Sequence, residues 1–323
     1  MKRNSFGPLG KVSALTLGGG GIGQAWGETG RDECVATIHA AIDAGIDLLD
    51  TAPMYRNCEA IVGETFGGKL PAGLRVTTKC GLGTPAPNEV ETILTQSLEA
   101  SLKAMKLQRI DIFFLHSNIC ADDYVYAIRP DRQDGFATRW SVYADLVIPV
   151  FEKLKAAGKI ASWGITASGV PDTIERALKH KPKPAFAQVV TNLLDSAGSL
   201  RRYAEPARPR DILKTAVEAG VGVLGIRAVQ AGALTAQVDR ELSPNNPDAK
   251  DYARAAPFRA LCREIGEDPA ALAHRYALSM PGVATVILGV KNRAELRQCI
   301  AAETAGPLPA TLIARIDGLG LRV

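Results

Sequence analysis

Short runs of β-branched and leucine residues alternate with longer amphipathic stretches along the chain. This alternation is typical of repeated βα units that build a parallel sheet. The short runs predict eight strands, which are Leu15 to Gly18, Asp47 to Thr51, Arg75 to Lys79, Ile110 to Leu115, Ile160 to Ile165, Ala187 to Val190, Gly222 to Ile226 and Thr285 to Leu288. Eight is the number of strands that closes a parallel barrel. We therefore predict an α/β fold, a (β/α)8 barrel in which residues 1–323 form a single domain.

The stretch between the third and fourth predicted strands gives the clearest helix. Four apolar residues recur there at spacings of four, four and three, on one helical face: Leu94, Leu98, Leu102 and Met105. Asn88 with Glu91 predicts a capping box at the start of this helix. Asn292 with Glu295 predicts the same cap on the last crossover helix.

Two additions to the barrel and two long loops are also predicted. Phe6 to Val12 is typical of a small β-hairpin that would plug the bottom of the barrel, and Ala310 to Leu319 predicts an added C-terminal helix. The longest irregular stretches are Ser117 to Arg139 and Gln230 to Pro257. Both follow strands, so we expect both over the active-site face, where long loops are usually functional.

Composition and charge narrow the class of protein. Hydrophobic residues make up 46% and charged residues 22% of the chain, which is ordinary for a globular protein. Lys and Arg number 38 against 34 Asp and Glu, and no basic run is long enough to suggest a nucleic-acid partner. The start lacks the apolar core of a signal peptide, and no apolar run reaches membrane-spanning length. We therefore expect a cytoplasmic protein without a membrane partner.

The six cysteines are scattered, without a C-x-x-C pair or a nearby histidine at zinc-ligand spacing. We therefore expect no metal site and interpret the cysteines as reduced packing residues. Cys58 and Cys120 follow the second and fourth predicted strands, near Tyr55 and His116, and a reactive thiol is the alternative interpretation for these two.

Gly18 to Gly23 satisfies the G-x-G-x-x-G pattern of dinucleotide-binding folds. That pattern requires a helix directly after it, whereas Gln24 to Gly30 is typical of a loop. We favour a strand-end loop whose missing side chains let its backbone lie close to a bound ligand.

Four ionisable residues fall at or just beyond the ends of three successive predicted strands: Asp50, Tyr55, Lys79 and His116. The carboxyl ends of parallel barrel strands converge on one face, so we expect these side chains to be neighbours. Each alone has a structural explanation, as a rim tyrosine, a solvated lysine or a turn-capping aspartate. Their joint placement favours a catalytic site.

This set of side chains suits carbonyl reduction. Hydride delivery to a carbonyl carbon leaves an oxyanion, which requires an acid within hydrogen-bond reach. Tyr55 is the expected acid, with its phenol pKa lowered by the Lys79 ammonium. Asp50 would hold Lys79 charged, and a neutral His116 would donate a hydrogen bond to the substrate oxygen.

The sequence around these positions resembles the motifs of the aldo-keto reductase family. Gly45 to Tyr55 is similar to the family's signature around its aspartate and tyrosine. Thr78-Lys79 resembles the lysine motif, and Asp111 to His116 resembles the histidine motif. The likeness runs over nearly the whole chain, and Val223 to Ala233 resembles the bacterial branch, near the aldose and L-galactose-type dehydrogenases.

The resemblance implies an NAD(P)(H)-dependent oxidoreductase that moves hydride between nicotinamide and an aldehyde, ketone or sugar, without metal. It implies a catalytic tetrad of Asp50, Tyr55, Lys79 and His116. The implied cofactor contacts are Gly19, Gly20 and Asp50 near the first strand ends, Thr166 and Gln188 at the nicotinamide amide, Arg227 at the pyrophosphate, and Gly289, Val290, Lys291, Arg293, Glu295 and Gln298 around the adenosine phosphate.

Two departures from the family's usual pattern fall in that site. Thr166-Ala167 stands where many members have Ser-Asn, so one contact to the nicotinamide amide is expected to be missing. Ile226 stands where an aromatic residue commonly stacks on the nicotinamide, and Arg227 follows it.

The choice of cofactor is predicted from the segment after the eighth strand. Gly289 and Glu295 occupy the two positions where members that bind the 2′-phosphate usually place basic residues, which points toward NADH. Lys291 and Arg293, however, are each able to reach a phosphate, and a Glu295 held in a capping box directs its charge at backbone amides. We therefore expect NADPH to be preferred and NADH to be tolerated.

Two alternatives remain open from the sequence. A cofactor-binding regulatory subunit on the same fold is the alternative to an enzyme, because fold alone does not settle function. The intact tetrad favours the enzyme. Trp140, Tyr143 and Tyr124 are either walls of the substrate pocket or core residues.

Overall fold

A computed structural model describes residues 1–25, 27 and 29–323. Eight parallel strands form a closed barrel in which each strand pairs with the next along the chain and the eighth pairs with the first. The barrel strands are Leu15–Gly18, Leu48–Asp50, Arg75–Cys80, Ile110–Leu115, Ile160–Thr166, Phe186–Val190, Gly222–Ile226 and Val283–Leu288. The predicted (β/α)8 barrel is therefore confirmed, and each strand begins and ends within two residues of its predicted bounds.

Helices pack around the barrel and connect its strands. The apolar faces of these helices and the outward-facing strand residues form one continuous hydrophobic core. In Val90–Met105 all four residues of the predicted apolar face are buried. The helices are Gly19–Ile22, Arg31–Asp43, Cys58–Phe66, Val90–Met105, Trp140–Val142, Ile148–Ala156, Pro171–Lys179, Pro209–Glu218, Pro247–Arg254, Ala256–Ile265, Pro269–Ser279, Arg293–Thr304 and Ala310–Asp317.

One of the two predicted helix caps is wrong. Pro87 fixes the backbone for a 3-10 turn over Pro87–Glu89, so Asn88 lies inside that turn and the α-helix begins at Val90. The carboxylate of Glu89, rather than that of Glu91, accepts a hydrogen bond from the Ala86 amide at 3.2 Å.

The other cap, on the last crossover helix, forms with one difference. The Asn292 side chain accepts a hydrogen bond from the Glu295 amide at 2.9 Å, as predicted. The Glu295 carboxylate returns to the Lys291 amide at 2.9 Å instead of the Asn292 amide. The carboxylate is thus directed at backbone, as the capping box requires.

An N-terminal hairpin closes the bottom of the barrel. Arg3–Ser5 pairs antiparallel with Lys11–Ser13, on either side of a turn over Gly7–Leu9. Phe6 and Val12 are fully buried in one cluster with barrel-strand residues that include Leu48, Phe186 and Ala284. The predicted plug is present, and the predicted C-terminal helix follows as Ala310–Asp317.

The two long segments over the carboxyl ends of the strands are more regular than the sequence predicts. Asn118–Cys120 pairs with Ala137–Arg139 inside the first segment. The second contains the helix Pro247–Arg254 and ends as the helix Ala256–Ile265 begins. Asn246 accepts a hydrogen bond from the Asp248 amide and caps the first of these, ahead of a proline at the first helical position. The prediction of irregular structure there is wrong because this start signal was not recognised.

Two of the three aromatic candidates for the substrate pocket belong to the core. Tyr143 is fully buried, and Trp140 packs against the Arg176 guanidinium at 3.7 Å from the ring centroid. Tyr124 lies on the segment after the fourth strand, where its hydroxyl donates to Glu205 at 2.6 Å. None of the helices formed by the described residues is long and apolar enough to cross a membrane.

Candidate active site

The four predicted catalytic residues meet at the carboxyl ends of adjacent barrel strands. Asp50 is the last residue of the second strand, Lys79 lies near the end of the third, and His116 directly follows the fourth. The Lys79 ammonium donates to Asp50 Oδ2 at 2.7 Å and to the Tyr55 hydroxyl at 3.3 Å. The Tyr55 and His116 rings meet edge to face, with centroids 6.1 Å apart. The structure thus brings together all four side chains.

Lys79 is fully buried, and so is nearly all of Asp50. Burial disfavours the ammonium, but Asp50 and the Tyr55 oxygen together outweigh burial and raise the pKa of Lys79. The Thr51 carbonyl accepts a further hydrogen bond from the ammonium at 2.9 Å. Lys79 is therefore charged at neutral pH and fixed on three sides.

The pKa of Tyr55 differs from the sequence prediction. Burial raises the pKa of this phenol, and the Lys79 charge opposes the rise without overcoming it. Tyr55 is therefore protonated at neutral pH, the state that an acid requires before it donates. The predicted net lowering is wrong, because the depth of burial cannot be read from strand-end positions.

Burial, with a smaller contribution from Lys79, lowers the pKa of His116 to about 3. The backbone amide of His116 donates to the Cys80 carbonyl at 2.7 Å, which ties the residue to the end of the neighbouring strand. The imidazole is therefore neutral at neutral pH, and one ring nitrogen carries a proton that it can donate without being charged.

We expect kcat/KM for carbonyl reduction to show no inflection near the ordinary histidine pKa of about 6.5. The pKa of His116 in the folded protein is about 3. The imidazole therefore stays neutral across the pH range of the assay. The unfolded chain takes up this proton below about pH 6.5, so the free energy of unfolding should fall as the pH drops from there toward the folded pKa. An inflection near pH 6.5 that disappears in His116→Gln would contradict the neutral assignment.

Gln188 and Thr166 lie side by side on the sixth and fifth strands. Gln188 Nε2 donates to Asp50 Oδ1 at 2.6 Å, and Thr77 donates to the same oxygen at 2.8 Å. The Thr166 hydroxyl donates to the Leu115 carbonyl at 3.1 Å. The predicted nicotinamide contacts therefore adjoin the tetrad, and Gln188 also orients the Asp50 carboxylate.

The glycine run after the first strand has a packing explanation. Gly19–Ile22 forms one short helical turn. A Cβ atom on Gly19 would lie 2.5 Å from Cys58 Sγ, and one on Gly21 would lie 1.9 Å from the Val290 carbonyl oxygen. Only residues without a side chain fit there, because neighbouring strand-end loops fill the space.

Two further predictions concern this glycine run and the loop that follows it. Gly19 and Gly20 are buried, and their contact with a cofactor stays a prediction. In the predicted loop from Gln24 to Gly30, the described residues form no helix, while Trp26 and Glu28 lie outside the described residues.

Arg227, which follows the seventh strand, is held by two buried partners. Its Nε donates to Gln230 Oε1 at 2.8 Å, and its Nη2 donates to Asp248 Oδ1 at 2.5 Å. Arg227 and Gln230 both adopt left-handed backbone conformations, with φ of 59° and 47°. A Cβ on Gly198 would lie 2.2 Å from Asp248 Oδ1, so a glycine is required beside this ion pair. Two nitrogens of the guanidinium, Nε and Nη2, are therefore held by protein side chains after the seventh strand.

Sequence reasoning selected Arg227 but missed Gln230 and Asp248. A detectable signal for Asp248 was present, because Asn246-Pro247 is a helix start and places Asp248 in the first turn. Gln230 carried no comparable signal, since its role depends on the left-handed turn that follows Arg227.

The predicted adenosine-phosphate contacts gather at the start of Arg293–Thr304. Gly289 is exposed, and a Cβ there would meet nothing within 4 Å. Val290 is buried, whereas Gln298 is exposed on the helix itself. The segment thus offers open space at Gly289, whereas the backbone amides of Lys291, Arg293 and Glu295 at the helix start already donate to side chains of the protein.

Both predicted phosphate-binding side chains are already paired with carboxylates. Lys291 Nζ lies 2.7 Å from Asp239 Oδ2 and 3.2 Å from Glu295 Oε1. The Arg293 guanidinium lies 2.8 Å from Glu33 Oε2. These contacts do not support the predicted preference for NADPH, and Glu33 and Asp239 are residues that sequence reasoning missed.

The cysteines agree with the packing interpretation. All six are buried and unpaired. Burial raises the pKa of the Cys58 thiol and raises that of Cys120 to about 11, so neither is a thiolate at neutral pH. The described residues contain no group of three or more His, Cys, Asp or Glu side chains arranged to hold a metal ion.

Comparisons with known proteins identify the family of this chain. Residues 14–320 match the family model of the aldo/keto reductases. The chain is 26% identical over 301 residues to L-galactose dehydrogenase of Arabidopsis thaliana, covering 91% of this chain and 85% of that protein. It is 24% identical over 321 residues to D-threo-aldose 1-dehydrogenase of a Pseudomonas species, covering 89% and 88% of the two chains. An aldo-keto reductase structure from Bacillus halodurans superposes with a TM-score of 0.71 at 22% identity, over 99% of this chain and 96% of that one.

The chain belongs to the aldo/keto reductase family. The predicted family, its barrel fold and the assignment to NAD(P)-dependent oxidoreductases are confirmed. The resemblance to the aldose and L-galactose-type dehydrogenases is confirmed by the two sugar dehydrogenases among the relatives.

Proposed function

We propose that this protein transfers hydride between a nicotinamide cofactor and an aldehyde, ketone or sugar carbonyl or alcohol, with Tyr55 as general acid. The observation that carries the proposal is the buried contact of Lys79 with both Asp50 and the Tyr55 hydroxyl, at 2.7 and 3.3 Å. A fixed ammonium beside a protonated phenol stabilises the phenolate that forms as the proton leaves.

The roles of the side chains follow from this geometry. Tyr55 gives its hydroxyl proton to the carbonyl oxygen, and Lys79 stabilises the negative charge left on the phenol oxygen. Asp50 keeps Lys79 charged and in place, with its own carboxylate oriented by Thr77 and Gln188. Neutral His116 donates a second hydrogen bond to the substrate oxygen, which selects an orientation with the carbonyl facing Tyr55. The nicotinamide cofactor, when bound, supplies or accepts the hydride.

The residues at the barrel mouth fit such a cofactor. The sixth strand offers a buried amide in Gln188, next to the Asp50 carboxylate. Arg227, held after the seventh strand by its pair with Asp248, is the proposed pyrophosphate contact. After the eighth strand, the open space at Gly289 leaves room for the adenosine end of the cofactor. The proposed contacts are Gly19, Gly20, Asp50, Thr166, Gln188, Arg227, Gly289, Val290, Lys291, Arg293, Glu295 and Gln298.

Relatives act on sugars, and one other is named pyridoxal 4-dehydrogenase, so the carbonyl classes to test include sugars and aromatic aldehydes. Three exposed apolar side chains lie on the mouth loops: Met54 just before Tyr55, and Val125 and Ile128 after the fourth strand. These side chains could contact an apolar part of the substrate beyond the reacting carbonyl. A sugar has no such apolar part.

The test is a panel of aldoses, aliphatic aldehydes and aromatic aldehydes, with their alcohols, followed by nicotinamide absorbance in both directions. The proposal expects saturable turnover with at least one carbonyl or alcohol in the panel. Tight cofactor binding without turnover of any member would instead favour the regulatory-subunit alternative. A single working domain over residues 1–323, a cytoplasmic location and independence from metal stay predictions.

A further inference from the structure

A carboxylate from another helix holds the start of the last crossover helix. The Arg293 backbone amide donates to Glu33 Oε1 at 2.8 Å. The Arg293 guanidinium also binds this carboxylate, with Nε at 3.2 Å from both oxygens and Nη2 at 2.8 Å from Oε2. Glu33 therefore occupies both the main-chain and the side-chain donors that an anion would use at this helix N-terminus.

Glu33 is held in place from its own side as well. It lies in the first turn of Arg31–Asp43, and the Thr37 hydroxyl reaches its Oε1 at 3.5 Å. Hydrogen bonds from the Arg293 side chain and backbone lower the pKa of Glu33 to about 2. The carboxylate is therefore negatively charged at every pH at which the protein would be assayed.

The neighbouring cation, Lys291, is also paired with carboxylates. Lys291 is paired with Asp239 and Glu295, and Arg293 with Glu33, so both cations of this helix start already face a carboxylate. Asp239 is shared with Arg240. A 2′-phosphate brought here would have to displace a carboxylate from Arg293 and then lie beside that charge. A 2′-hydroxyl carries no charge and would meet neither cost.

We propose that Glu33 is a specificity-determining residue that disfavours the 2′-phosphate, so that the protein binds NADH at least as tightly as NADPH. This inference rests on the proposed function, because it takes the adenosine end of the cofactor to lie at Arg293–Thr304. It reverses the preference for NADPH that the sequence predicts from Lys291 and Arg293 as phosphate contacts.

The experiment compares dissociation constants for NADPH and NADH, measured by reduced-nicotinamide fluorescence without substrate, in wild type and Glu33→Gln. The substitution removes the negative charge, while the side-chain amide oxygen of Gln can still accept a hydrogen bond from the Arg293 backbone. We expect the affinity ratio to shift about tenfold toward NADPH, the size of effect that one removed charge has on a nearby phosphate. Glu64→Gln is the matched control. It removes an exposed carboxylate that pairs with Arg31, a residue of the helix that carries Glu33. Its ratio should equal that of wild type.

A second variant tests the role of Arg293. In Glu33→Gln with Arg293→Met, the gain in NADPH affinity should be lost, because the freed guanidinium is what binds the phosphate. Wild-type preference for NADPH, or a ratio unchanged by Glu33→Gln in a protein that binds NADH, would overturn the inference while leaving the proposed function intact. Failure to bind either cofactor would overturn both.

Discussion

Tyr55→Phe should lower kcat for carbonyl reduction by about a hundredfold or more, while the dissociation constant for the cofactor stays near the wild-type value. The substitution removes only the hydroxyl that contacts Lys79 at 3.3 Å and would protonate the carbonyl oxygen. The ring, which packs edge to face on His116, keeps its shape. The loss should therefore appear in the chemical step and not in binding.

Steady-state kinetics with the best substrate from the panel, together with cofactor titration, measures both quantities. Tyr252→Phe is the matched control, because its hydroxyl bonds the Ala236 carbonyl on an exposed segment. It should keep the wild-type kcat. If Tyr55→Phe retained full turnover, another group would have to be the acid.

Lys79→Met should abolish measurable turnover and also destabilise the fold. The ammonium and the Asp50 carboxylate form a pair that is almost completely buried. Removing one partner of a buried pair leaves an uncompensated charge, which costs about 3–5 kcal/mol of the free energy of unfolding. The phenol of Tyr55 loses its neighbouring cation at the same time.

Pairing Lys79→Met with Asp50→Asn separates the two effects. The double variant has no buried lone charge, so we expect it to recover most of the lost stability in urea unfolding. Turnover should not return, because no cation lies beside Tyr55. Recovery of activity together with stability would mean that Lys79 acts only through the fold.

The barrel and the tetrad were predictable for related reasons. Parallel buried strands appear as short apolar runs, and their carboxyl ends converge on one face whatever the loops do. Asp50, Lys79 and His116 could therefore be placed together from strand positions alone. Apolar runs involve residues that are close in sequence, and the convergence of strand ends follows from the common direction of the barrel strands.

The remaining features depend on packing between distant segments. Glu33 reaches Arg293 across 260 positions of the chain, through the contact of two helices that no local pattern specifies. Burial raises the pKa of Tyr55 against the Lys79 charge, and burial depends on the folded surroundings. The glycines near Gly19 resemble a ligand-binding run because close approach to protein backbone and to a cofactor both require a missing side chain.

We expect hydride to pass directly between the nicotinamide and the carbonyl carbon of a substrate bound at Tyr55. Turnover of a substrate from the panel with cofactor deuterated at the transferring carbon of the nicotinamide, followed by mass analysis of the alcohol, tests this transfer. We predict that the alcohol carries one deuterium at the former carbonyl carbon, taken from the cofactor without exchange with water. An alcohol without the label, or no alcohol under conditions where the cofactor is bound, would show that this protein does not transfer hydride directly.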